Sequence, residues 1–298
     1  MTPTTHTESI NARSWLFAPG DSERKMEKAT ASPADIVIFD LEDAVAEPQK
    51  PEARSRVAAF LKANAQHRSR LWVRINPIQG PHLLTDLAAV MPAAPAGVLF
   101  PKPRGREDAE RLDHYLTAFE AAAGTAIGAT RVMLLATEEP ASMLAIGSYA
   151  GVPRIAAMSW GAEDLATALG ASDNRGEYSG YDFTYELARS LCLVGAAAAG
   201  VPAIETIHGD FKDDAGLRKR AVQMRRAGYR GMLAIHPAQV DIINEAFSPT
   251  SEELAAAQEI VDVFAANPSA GTIGHKGVML DRPHLARAQA LLALAARR

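Results

Sequence analysis

One cysteine, Cys192, occurs in 298 residues, which excludes an internal disulfide and the multi-cysteine zinc frameworks. A reducing compartment, the cytoplasm, suits such a chain. Cys192 itself lies in LARSLCLVGAAAAG, an apolar helical stretch in which it reads as a small core residue rather than a nucleophile. Excess positive charge is also missing: 31 Lys+Arg stand against 35 Asp+Glu, for a formal net charge of -4. Without a broad positive field, neither nucleic acid nor an anionic membrane surface is an expected partner. No apolar run reaches the length of a membrane span, and MTPTTHTESINAR at the start has no apolar signal region, so residues 1–12 are expected to be a flexible leader. Nor does GxGxxG follow the first apolar segment, which weakens the case for an open dinucleotide-binding sheet.

What the chain does have is 48% hydrophobic and 22% charged residues, a core-forming composition. Its length suits two domains of roughly 150 residues or one α/β barrel of about 250. Eight short apolar segments decide for the barrel. They are SWLFAPG from Ser14, DIVIFDLED from Asp35, LWVRIN from Leu71, GVLFPK from Gly97, VMLLATE from Val132, IAAMSWG from Ile155, PAIETIH from Pro202 and GMLAIHP from Gly231. Between them run amphipathic stretches of good helix formers, such as EARSRVAAFLKA and REDAERLDHYLTAFEAAA. Strands alternating with helices imply a parallel sheet buried on both faces, hence continuous apolar runs. Eight such units predict an α/β fold, a (β/α)8 TIM barrel over residues 13–247. A C-terminal helical extension over 248–298 is expected to be a lid or an oligomerisation arm. Thr250 or Ser251 marks a helix start within it, and SAGTIGHKG reads as a glycine-rich hinge before the last helix.

Function in such a barrel gathers at the C-terminal ends of the strands. Those ends carry Asp40, Glu42 and Asp43, then Arg74, Lys102, Glu138 and Glu139, and Glu163 and Asp164. So many carboxylates in one cleft need a cation between them. Oxygen ligands without matching His or Cys favour a hard ion, Mg2+ with Mn2+ as an alternative, and Glu138 and Asp164 are the expected ligands. Helix N-terminal charge is the competing role for both, and the preferred one for Glu139 and Glu163. Arg74 suits a carboxylate clamp or oxyanion donor, and equally an ion pair with Asp40, Glu42 or Asp43. Lys102 has the same two roles, the structural one favoured. His208 and His236 read as hydrogen-bonded structural histidines. Gly20 and Asp21 lead into a helix start where Arg24, Lys25 and Lys28 offer either a phosphate grip or a solvated basic face.

The ordered set RSWLFAPG, DIVIFDLEDAV, VRIN, FPKP, ATEEP, SWGAEDLA, GDFKDDAGL, AIHPAQV and VMLDRPHLARA resembles the citrate lyase β-subunit-like, or CitE-like, CoA ester lyases of the HpcH/HpaI aldolase superfamily. The resemblance runs from about Arg13 to the last helix. It implies a Mg2+-dependent lyase making or breaking a C–C bond between an acyl-CoA and a 2-oxo acid, of malyl-, citramalyl- or citryl-CoA lyase type. It also implies Glu138 and Asp164 as metal ligands, Arg74 as the substrate-polarising group, Phe17 and Lys28 against CoA, and Asp281 as a catalytic acid in the C-terminal flap. In relatives that acid often comes from the adjacent subunit of a trimer, so a homotrimer or higher homo-oligomer is expected. Two departures stand out. Ser22 replaces an arginine of malyl-CoA lyases, which passes part of the nucleotide grip to Arg24, and Trp160 stands before Gly161 and Ala162 where small or aliphatic residues are usual. Trp160 therefore either narrows the acceptor pocket or belongs to the core. The alternatives are a CoA-independent pyruvate-type aldolase, a 3-hydroxyacyl-CoA thioesterase, and the carrier-dependent β subunit of a citrate lyase complex.

Overall fold

The computed structural model describes residues 10–176 and 180–296. Each of the eight apolar segments is a strand: β1 Ser14–Pro19, β2 Ile36–Asp40, β3 Leu71–Arg74, β4 Gly97–Phe100, β5 Arg131–Leu135, β6 Ile155–Ser159, β7 Ala203–Glu205 and β8 Gly231–Ala234. They pair in parallel and in sequence order, and β8 closes on β1 through Ser14↔Met232, Trp15↔Leu233 and Leu16↔Ala234. The fold is the expected TIM barrel, with helices between the strands.

Strand alternation fills the interior. Trp15, Ile36, Ile38, Trp72, Leu99, Met133, Leu135, Ile204 and Leu233 meet in one buried cluster. Trp15 and Trp72 pack edge to face at 5.1 Å, and Gly97 makes room for the Trp72 ring, since a Cβ there would stand 2.5 Å from it. Two residues beyond Ile38 and Trp72, the same inward face continues as Asp40 and Arg74. The sheet register sets these two side by side, because Asp40 is the Cα partner of Arg74 between β2 and β3. The barrel thus has an aromatic floor and a charged mouth.

Residues 1–9 of the expected leader lie outside the described residues. Ile10 and Ala12 belong to the interior cluster, so the packed chain begins before Arg13. The chain divides into two compact units, one ending at Asn244 and one beginning at Glu245. The second holds the helix Ser251–Ala266, opened by a capping box between Thr250 and Glu253, and the helix Arg282–Ala296. SAGTIGHKG is not an open hinge. It forms most of an antiparallel hairpin, β9 Thr272–His275 and β10 Val278–Asp281. Its two-residue turn has positive φ at Lys276 (48°) and Gly277 (79°), the conformation that twisted hairpins favour. Among the described residues no helix is long and apolar enough to cross a membrane.

A buried network ties the opposite, N-terminal end of the barrel. Glu120, fully buried, accepts the N–H groups of Gly128 (2.7 Å) and Thr130 (2.8 Å) and the Arg154 guanidinium (2.8 Å), which also pairs with Asp113. Burial works to raise the Glu120 pKa, but Arg154 and the two N–H groups outweigh it and hold the carboxyl below its usual range. Arg154→Met leaves that carboxylate buried and uncompensated, and should cost about 3–5 kcal/mol in urea unfolding near neutral pH. Because the folded-state pKa of Glu120 is depressed, its contribution is complete above the ordinary carboxylate pKa and is lost as pH falls through the folded value. The gap between variant and unmodified protein should therefore narrow in acid. A gap that is constant from pH 7 to pH 3.5 would assign the loss to packing instead.

Candidate active site

At the C-terminal end of the barrel lies a cavity of about 270 Å³, lined on its polar part by Asp40, Arg74, Glu138 and Asp164 and on its apolar part by residues that include Phe17, Trp160 and Ile207. Arg74 anchors it. Its Nε and Nη2 donate to the two oxygens of Asp40 at 2.8 and 2.5 Å, and Nη1 stands 2.8 Å from Glu42 Oε2. The guanidinium carbon lies 5.0 Å over the Phe17 ring. The ion-pair role expected for Arg74 is present, and its guanidinium also faces the cavity. Burial would lower its pKa, but Asp40 and Glu42 raise it further than burial lowers it, so its charge is permanent. The Asp40 carboxylate also accepts the N–H groups of Glu42 (2.8 Å) and Ala44 (3.1 Å), a turn that fixes the loop after β2. Burial raises the pKa of Asp40, but Arg74 and these N–H groups bring it below the usual range.

Lys102 does more than its structural reading suggests. It follows β4 with φ of 52°, a left-handed backbone that is uncommon for a residue with a side chain. In that conformation its N–H donates to Glu138 Oε2 at 2.9 Å, while Nζ reaches Glu42 Oε1 at 2.7 Å and Asp164 Oδ1 at 3.0 Å. One residue thereby ties the loops after β2, β5 and β6 together. Burial pushes the Glu42 carboxyl up to about 7, aided by Asp43 and opposed by Arg74 and Lys102. Glu138, buried, is raised well above the usual range by burial and then by Asp164 and Glu42, which the Lys102 N–H and Arg74 only partly offset. Asp164 stands in the first turn of the helix Ala162–Leu169, as its helix N-terminal role expects, and also lines the cavity.

The donor chemistry fits a divalent cation. Asp40, Glu42, Asp43, Glu138 and Asp164 gather around Arg74 and Lys102, five carboxyl groups against two cations, and the raised pKa values of Glu42 and Glu138 mark the crowding that a cation would relieve. Among the described residues no three His, Cys, Asp or Glu side chains form a preformed metal cage. Glu138 and Asp164 would supply two ligands and leave the rest of the shell to water and substrate, the habit of Mg2+.

Other expected residues divide between the mouth and elsewhere. Phe17, Gly161 and Ala162 line the cavity. Arg24 and Lys28 are exposed, one turn apart on the helix Glu23–Thr30 that follows β1. Asp281 ends β10 in the second unit, where a hydrogen bond from His284 lowers its pKa. Glu139 precedes the helix Pro140–Leu144 and pairs with Arg104 at 3.6 Å, and Glu163, exposed in the first turn of the helix Ala162–Leu169, also borders the cavity. His208 bonds Asp213 at 3.2 Å. Cys192 is buried, and burial raises its thiol pKa. Trp160 is fully buried and yet lines the cavity, its Nε1 donating to Glu205 at 3.0 Å.

Sequence reasoning missed Lys50 and Glu205. Lys50 spends its ammonium on the carbonyls of Leu41 and Glu42 (both 2.9 Å) and on Asn76 Oδ1 (2.8 Å), clamping the β2 loop from beneath; at a helix start it reads as a solvated charge. Glu205 had a signal, a lone carboxylate inside the apolar run PAIETIH.

The profile of the HpcH/HpaI aldolase/citrate lyase family matches residues 13–237. The chain is 32% identical to the citrate lyase subunit beta of Haemophilus influenzae, over 94% of this chain and 95% of that protein. It is 33% identical to a (3S)-malyl-CoA thioesterase of Cereibacter sphaeroides, over 95% and 94%. Among solved structures, CitE of Mycobacterium tuberculosis in complex with magnesium, acetoacetate and coenzyme A superposes with a TM-score of 0.80 at 30% identity, covering 96% of this chain and all of that one. The chain belongs to the HpcH/HpaI aldolase/citrate lyase family.

Gly161 is the tightest steric constraint on the carboxylate pair, because a Cβ there would stand 2.8 Å from Glu138 Cγ and 2.9 Å from Oε1. Its φ of -128° is open to any residue, so the constraint is space alone. Gly161→Ala should leave thermal unfolding within a few degrees, yet weaken Mg2+ binding about 10- to 100-fold in calorimetry by displacing Glu138. Unchanged affinity would remove Glu138 from the cation site.

Proposed function

We propose that this family member is a Mg2+-dependent CoA ester lyase that reversibly joins an acyl-CoA, such as acetyl-CoA, to a small 2-oxo acid. The observation that carries the reading is a small cavity in which the carboxylates of Glu138 and Asp164 share space with an arginine whose charge is locked. At about 270 Å³ the cavity lies just under the range of about 300–1,000 Å³ usual for whole drug-sized ligands, so it suits the acid end of the substrate. The CoA portion then lies outside it, toward the exposed Arg24 and Lys28, with Phe17 near the thioester. Relatives support the chemistry: one is a citrate lyase subunit, and one structure holds magnesium, acetoacetate and coenzyme A.

Glu138 and Asp164 would hold the ion, which when bound supplies Lewis-acid polarisation of a carbonyl and lowers the pKa of an alcohol. Arg74 orients the acid. Two of its five N–H groups are taken by Asp40, Nη1 is ion-paired with Glu42, and the N–H groups left over can meet a substrate oxygen and stabilise charge that develops there. Lys102 keeps Asp164 and Glu42 in place. In the cleavage direction the 3-hydroxyl loses its proton as the adjacent C–C bond breaks, a 2-oxo acid leaves, and the thioester enolate takes up a proton. Asp281 is the group we assign to that proton exchange, acting from its own chain or from a neighbour in a homotrimer. Hydrolysis of the thioester is a second outcome, favoured by the likeness to a malyl-CoA thioesterase. With its one cysteine buried, the protein suits the reducing cytoplasm.

The test is a panel of acyl-CoA and 2-oxo acid pairs with Mg2+, read by mass spectrometry of the CoA products. Glu138→Gln and Asp164→Asn should abolish metal-dependent turnover with the fold retained, and Arg74→Lys should lose about 100-fold or more, because an ammonium cannot copy the planar fork. No carbon–carbon product from any pair would overturn the lyase reading.

Asp281→Asn should bind CoA normally and lose most turnover. Mixed under subunit exchange with Glu138→Ala chains, it should recover activity when the acid acts across subunits. No recovery despite proven exchange would overturn the shared-site arrangement, leaving Asp281 either acting within its own chain or not catalytic at all.

A further inference from the structure

Glu205 is a buried carboxylate used by neither the proposed cation pair nor the Arg74 clamp. It ends β7 fully buried, and both of its oxygens are taken. Arg220 donates to Oε1 from Nε and Nη2 at 3.0 and 2.5 Å, and Trp160 Nε1 donates to Oε2 at 3.0 Å. A buried ion pair of this kind returns little net stability after its desolvation, but it fixes the position of whatever it holds. Here it holds an arginine and an indole in a set orientation. Both of them meet one ring.

That ring is Tyr181, in the segment before the helix Phe183–Ala199. The Arg220 guanidinium carbon lies 5.0 Å from its centroid and that of Arg175 4.1 Å, and Trp160 packs against it edge to face at 5.0 Å. The Tyr181 hydroxyl accepts from Arg175 Nη2 at 3.5 Å. What Tyr181 adds to the cavity lining is therefore aromatic carbon, alongside Trp160 and Ile207. The carboxylate and the 2-oxo group of an acceptor need the charged residues of the cavity. The chain from its third carbon onward is left with this aromatic corner.

We propose that Tyr181 sets the upper size of the 2-oxo acid, and that Arg220 and Glu205 are positioning residues that hold its ring against the cavity. The inference rests on the lyase reading above and adds to it the residue that limits the length of the acid and the pair that holds that residue in place. It differs from placing specificity in Trp160 alone, since Trp160 is itself held by Glu205.

The experiment compares kcat and KM for glyoxylate, pyruvate, 2-oxobutanoate and 2-oxovalerate, with Mg2+ and the acyl-CoA that the unmodified protein uses best. Tyr181→Ala should raise the preference for 2-oxovalerate over pyruvate about tenfold or more, mainly through KM, as expected for one or two methylenes gaining room in an apolar pocket. Tyr181→Phe, which keeps the ring, should retain the original preference. Arg220→Lys keeps a charge for Glu205 but loses the planar fork and its stacking, and should shift the preference in the direction of Tyr181→Ala. An unchanged ratio in Tyr181→Ala overturns the proposal, and an unchanged ratio in Arg220→Lys overturns the positioning role. An unmodified protein that uses no 2-oxo acid overturns the lyase reading itself, an outcome visible before any variant is made.

Discussion

The two-toothed pairing of Arg74 with Asp40 is the interaction on which the mouth of the barrel depends. It exists because β2 and β3 are parallel neighbours whose register sets the two residues side by side, each on the inward face of its strand. From it the rest follows in order. Asp40, once committed to Arg74, uses its remaining acceptor capacity on the N–H groups of Glu42 and Ala44 and so shapes the next loop. Glu42, placed by that loop, draws in Lys102, and Lys102 in turn reaches Asp164 and Glu138. A charge network of this kind costs more to bury than it returns in stability. Its return is preorganisation, with donors and carboxylates already oriented before substrate arrives.

The eight strands were legible because a parallel sheet buried on both faces writes itself as apolar runs, and each of the eight runs is a strand. The charged cluster at the strand ends was legible for a related reason, since alternation beyond an apolar run carries a charge to the mouth. Lys50 was not, because a lysine at a helix start looks solvated until tertiary structure brings the Leu41 and Glu42 carbonyls over it. Tyr181 was not either: its segment has no periodicity, and its partners Trp160 and Arg220 come from different βα units. The hinge reading of SAGTIGHKG failed because glycine serves both open links and tight hairpin turns, and only the pairing of Thr272–His275 with Val278–Asp281 separates the two.

Trp160 shows how one side chain can be core and site together. Its indole is wholly buried, yet it borders the cavity, and its single N–H is spent on Glu205. An indole fixed at both its face and its nitrogen has little rotamer freedom left to lose when a ligand arrives. Binding beside it then costs less ordering than binding against a mobile loop.

The network of Glu120, Arg154, Asp113 and Thr130 sits before β5 and β6, at the end of the barrel away from the cavity. Separation of this sort has an evolutionary consequence. Among the described residues, the side chains that build the mouth and those that fasten the opposite end have different hydrogen-bond and ion-pair partners, so the effects of changes in the mouth loops on stability should add rather than compound. A barrel built this way can trade one ligand for another at its mouth by successive single substitutions, each screened for chemistry while the foundation stays intact.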